Sequence, residues 1–62
     1  MKKAHQTIAY TLEGDYIKGE QFATAEEAWE CQMKWLKEND KIMVMRTKDG
    51  KVMTILTAED IA

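Results

Sequence analysis

From Lys41 to Thr57 the sequence specifies a hairpin that is apolar on both of its sides. The stretch Lys41–Thr47 is followed by the turn residues Lys48-Asp49-Gly50-Lys51 and by Val52–Thr57. Side chains alternate along a strand, so Ile42 and Val44 share one face while Met43 and Met45 share the other. Two registers are open. A two-residue Asp49-Gly50 turn sets Thr47 opposite Val52, and a three-residue turn with Gly50 left-handed sets Thr47 opposite Lys51. In the second register Met43, Met45, Met53 and Ile55 lie opposite Ile42, Val44, Val52 and Leu56. One helix cannot cover both faces of such a hairpin.

The rest of the chain supplies one helix and a second hairpin. His5–Leu12 alternates, with Ile8, Tyr10 and Leu12 on one side and Thr7, Ala9 and Thr11 on the other. A Gly14-Asp15 turn would set Leu12 against Ile17 and Tyr10 against Gly19. Tyr16–Phe22, which contains Gly19 and the charges of Lys18 and Glu20, then reads as an edge strand. Thr24-Ala25-Glu26-Glu27 is a capping box that starts a helix over Ala25–Glu38. Glu26, Glu27, Glu30, Lys34, Lys37 and Glu38 form its polar arc, and only Gln32 breaks the apolar one. Asn39-Asp40 ends it, because Asn tolerates the left-handed conformation. The expected fold is α+β, a ββαββ layer with strands over 5–12, 16–22, 41–47 and 51–57 and one helix on one face of an antiparallel sheet. The tail Thr57–Ala62 can begin a helical turn but is too short to hold one alone.

The string Phe22-Ala23-Thr24-Ala25-Glu26-Glu27-Ala28, with Trp35-Leu36, Val44 and Asp49-Gly50-Lys51, resembles small bacterial ββαββ domains of unknown function. In those, a strand pair leads into a Thr-x-Glu-Glu-Ala helix and ends in a hairpin with an Asp-Gly-Lys turn. The resemblance covers roughly residues 8 to 56 and implies a topology without an activity. The first half also loosely resembles the arm-binding domain of phage integrases, where three strands precede a similar helix and read DNA. Here Lys18 is the only Lys or Arg between Ala4 and Glu30.

Size and composition narrow the function. With 62 residues the chain has room for one domain, and its core is marginal. One Cys forms no internal disulfide, and one Cys with one His cannot complete a four-ligand zinc site. A partner chain remains as the source of further stability. A 45% hydrophobic, 32% charged composition is globular, and a net charge of −2 favours neither a polyanion binder nor an acidic mimic of nucleic acid. The longest apolar run is the four residues Ile42–Met45, too short to span a membrane. Lys2-Lys3 leads into Ala4-His5-Gln6-Thr7 without the apolar core of a signal peptide, and the lone thiol suits a reducing cytoplasm.

No enzyme is expected. His5 has no partner fixed by local spacing, and Cys31 lies beside Glu27 and Glu30 where a reactive thiolate needs cations. Gly14, Gly19 and Gly50 are isolated, so no loop cradles a phosphate. Glu13, Asp15, Asp49, Glu59 and Asp60 lack the spacing of a calcium loop. Neither cofactor nor metal is implied. The expected function is protein interaction, as an accessory or inhibitory factor of bacterial or phage origin that also forms a homodimer. Its interface would be Met43, Met45, Met53 and Ile55, with Trp35 as an aromatic anchor from the helix. The alternative is a nucleic-acid-binding module that uses Lys41, Arg46, Lys48 and Lys51.

Overall fold

A computed structural model describes residues 3–62. Strands β1 (His5–Thr11) and β2 (Tyr16–Phe22) precede helix α1 (Ala25–Glu38); strands β3 (Ile42–Lys48) and β4 (Lys51–Thr57) and a short helix α2 (Ala58–Ile61) follow. All neighbouring strands are antiparallel, in the order β2-β1-β3-β4. The expected α+β architecture is present, and the bounds of β2, α1 and β4 are those read from the sequence.

The first hairpin turns differently from the sequence reading. The Gly14 amide donates to the Thr11 carbonyl at 2.9 Å, and the Thr11 amide to the Asp15 carbonyl at 2.8 Å. The loop is therefore Leu12-Glu13-Gly14, with Gly14 at φ 99. A three-residue loop needs a left-handed third position, and Gly14 supplies it without steric cost. Leu12 thus sits exposed in the turn and does not face Ile17. Ile17 is the unpaired residue of a bulge, so Tyr10 opposes Tyr16 and Ile8 opposes Gly19. The two tyrosine rings meet edge to face at 6.1 Å, and it is Tyr16 rather than Tyr10 whose hydroxyl covers Gly19.

The second hairpin takes the two-residue turn, with Asp49 at φ 51, Gly50 at φ 80 and Lys48 opposite Lys51. Past that turn the register shifts. Thr47 opposes Val52 but Arg46 opposes Thr54, which leaves Met53 as an extra residue in β4. Met45 then meets Ile55, and Val44 meets Leu56. Val52 consequently lies on the face opposite Ile42 and Val44, against the assignment made from the three-residue turn.

Helix α1 begins as expected at Thr24, whose hydroxyl oxygen accepts from the Glu27 amide at 3.2 Å. Glu27 answers by accepting from the Thr24 hydroxyl rather than from its amide. Asn39 ends the helix in an extended conformation, not a left-handed one. Its side-chain oxygen accepts from the Lys41 amide at 2.9 Å, and this bond starts the chain toward β3. In α2 the Asp60 carboxylate accepts from both the amide and the hydroxyl of Thr57.

The core lies between α1 and the central strands. Ala9, Ala28, Trp35, Leu36, Ile42 and Val44 are buried, with Cys31, Leu56 and Ile61 packed against them. Two of these six are alanines, so the side chains with most apolar surface to bury are few. Replacing Leu36 by Ala should lower unfolding free energy by about 2–5 kcal/mol, against less than about 0.5 kcal/mol for Leu12→Ala in the exposed turn. Urea denaturation at one fixed protein concentration distinguishes the two; equal losses would contradict this placement of the core.

Candidate protein-interaction face

Register decides which side chains face the helix. The Thr7 hydroxyl donates to the Ala28 carbonyl at 2.7 Å, and Thr7 and Ala9 are fully buried beneath α1. Residues directly opposite each other share a face, so Arg46 and Val44 of β3 join Thr7 and Ala9 on the helix side. Thr54 and Leu56 of β4 and Lys18 and Glu20 of β2 follow by the same rule.

The open side then holds Gln6, Ile8 and Tyr10 of β1 and Met43, Met45 and Thr47 of β3. To these the edge strands add Val52, Ile55 and Thr57 of β4, and Tyr16, Gly19 and Gln21 of β2. Alternation from Thr54 brings Met53 to the same side. None of these residues is a Lys, Arg, His, Asp or Glu. Every acidic or basic residue of the strands, namely His5, Lys18, Glu20, Arg46, Lys48 and Lys51, has helix-side register. A sheet with one wet face normally shows the opposite sorting, apolar toward the helix and charged toward water. Tyr16, Val52, Met53 and Ile55 are exposed, and Ile8, Tyr10, Met43 and Met45 are half-buried by their neighbours alone.

Met43, Met45, Met53 and Ile55 therefore come together on one open surface, and Ile8, Tyr10, Tyr16 and Val52 extend it. The sequence grouped the methionines with Ile55, but only the β1–β3 pairing joins Ile8, Tyr10 and Tyr16 to them. Trp35 does not join them. It is buried on the covered side, where the Lys18 ammonium sits 4.6 Å from its ring centroid. The exposed aromatic of the helix is Trp29, at 48%.

The four cations of the second hairpin are dispersed. Lys41 precedes β3 and Lys48 ends it, about 23 Å away along an extended chain. Arg46 turns to the helix side, where its Nη2 donates to the Thr54 hydroxyl at 2.9 Å and its Nε is buried without a partner. Lys48 and Lys51 alone are adjacent.

Gln32, fully buried, donates through Nε2 to the Val44 carbonyl at 2.9 Å, while its Oε1 has no partner. Cys31 borders a groove between α1 and β2 that is lined also by Glu20, Phe22, Glu27, Lys34 and Trp35. Burial, and then the Glu20 carboxylate, raise its thiol above the ordinary 9.0. Among the described residues no three His, Cys, Asp or Glu side chains converge as metal ligands, and no helix is long and apolar enough to cross a membrane. Comparison with protein-family models, with curated proteins and with solved structures found no match.

Cys31 should react with iodoacetamide at pH 8 more slowly than a free thiol in solution, and Glu20→Gln should quicken it. A native rate equal to that of glutathione would contradict the burial and charge assigned to this site.

Proposed function

We propose that the chain is a small non-enzymatic protein-interaction module that works by burying its open sheet face against another protein chain. The supporting observation is the sorting of charge. All acidic and basic strand residues have helix-side register, and the uncovered side carries methionine, isoleucine, valine and tyrosine. Methionine suits such a surface because its unbranched, polarisable side chain adapts to a partner. The resemblance to small bacterial domains and the lone free thiol support an accessory or inhibitory factor of bacterial or phage origin acting in the cytoplasm.

Oxidative footprinting tests this proposal. In dilute purified chain Met43, Met45 and Met53 should be oxidised readily by peroxide. In extract of the native cells the same three should be protected, while Met33 on α1 serves as internal reference. Equal oxidation in both settings would remove the proposed interface. The nucleic-acid alternative has weaker geometric support, since the sheet separates Lys41 from Lys48 and Lys51 and ties Arg46 to Thr54. No mobility shift of DNA or RNA is expected at low salt. A shift whose log affinity falls with log salt by about 0.9 per phosphate contact would favour that alternative instead.

A further inference from the structure

We propose that the partner on the open face is a second copy of this chain, stacked sheet against sheet about a two-fold axis lying in the plane between them. This rests on the protein-binding role of that face and names its occupant.

Symmetry supplies the first argument. A two-fold interface brings residues near the axis against their own copies, so any charge there would meet its like. A face without one side chain charged at neutral pH meets that requirement, whereas a partner chosen by charge would find nothing to pair with. The middle of the face is apolar, and neutral polar residues such as Gln6, Gln21 and Thr57 lie toward its margins. An apolar centre with a polar rim is the anatomy of a homodimer interface.

Area supplies the second. Four strands of seven residues give a flat footprint of ~450 Å² at ordinary strand spacing and rise. Two copies therefore bury ~900 Å² together before pleating and the projecting Tyr16 and Met53 are counted, close to the ~1,000 Å² at which an interface becomes specific. No other surface of the described residues joins four strands in one uncharged patch.

The sheet edges supply the third. Both edge strands carry a bulge, at Ile17 in β2 and at Met53 in β4, and bulged edges resist extension of a sheet by a further strand. Association by the face remains. Ile8 and Met45 oppose each other at the middle of β1 and β3, hence at the centre of the face. Whatever the direction of an in-plane axis through that centre, these two residues lie within reach of their own copies.

Sedimentation at micromolar to millimolar concentration, with isotope-filtered NOE spectra of a mixed labelled and unlabelled sample, tests the proposal. The expected result is a dimer with intermolecular contacts between the side chains of Ile8 and Met45. Met45→Lys should weaken the dimer about a hundredfold or more while keeping the far-ultraviolet circular dichroism, because the substitution places two ammonium groups near the axis. Ile55→Lys, at an exposed position, repeats the test should Met45→Lys fail to fold. A monomer at millimolar concentration, or a dimer whose intermolecular contacts lie along β2 or β4, overturns the proposal. If the isolated chain is monomeric while its methionines are protected in extract, the second copy is wrong and the protein-binding role stands. If they are unprotected as well, both fall.

Discussion

A single α-helix is about 10 Å across, and four strands side by side span about 19 Å. This mismatch governs the whole molecule. Helix α1 stands on β1 and β3, where Ala9 and Val44 are fully buried, and reaches the edge strands only with its flanks. Toward β2 the flank is Trp35 and Cys31, roofed by Lys18 and walled by Glu20. Beyond β3, Leu56 and Ile61 add cover from β4 and α2. Charges occupy the helix side because so much of that side still reaches water at the edges and strand ends.

Two polar bonds set where the helix rests. The Thr7 hydroxyl takes the Ala28 carbonyl, and Gln32 gives its amide to the Val44 carbonyl one helical turn further on. Each bond joins α1 to a different central strand, so together they fix position and rotation in a way that apolar contact alone would not. The second carries a cost, since Gln32 Oε1 is left buried without a partner, and Arg46 Nε on the same side of the sheet is a second such atom. An unpaired buried polar atom costs about 1–3 kcal/mol. With so few large apolar side chains in the core, those costs weigh heavily on the lone chain and increase what a covered second face would contribute.

Much of this was legible in the sequence, and the misses share a cause. The Thr24 cap and the apolar arc of α1 are local signals, and the helix follows them from Ala25 to Glu38. The two-sided apolar character of β3 is equally local, and so the uncovered methionines were identifiable without coordinates. Bulges are not local in this sense. Those at Ile17 and Met53 arise where the register set by a turn fails to match the register that buries the next residues; the two-residue turn put Val52 on the open face, and the second bulge returned Met53 and Ile55 to it. Trp29 and Trp35 stand on opposite margins of the same arc. Which one is buried depends on the side of the helix that receives β2, a matter of topology that helical periodicity does not record. The basic residues were grouped by nearness in sequence, whereas a strand carries Lys41 and Lys48 to opposite ends of the sheet.

The strand order has a kinetic consequence. Each hairpin closes locally, yet the pair on which the helix rests takes one strand from each, β1 and β3. An isolated two-stranded hairpin is marginal in water, and here neither hairpin holds the core. Native structure must therefore wait for a contact between segments more than thirty residues apart, as in Ala9 against Val44. Chains whose stabilising contacts come late in this way fold more slowly than helical bundles of the same length. They also fold as a unit, with no half of the molecule persisting by itself.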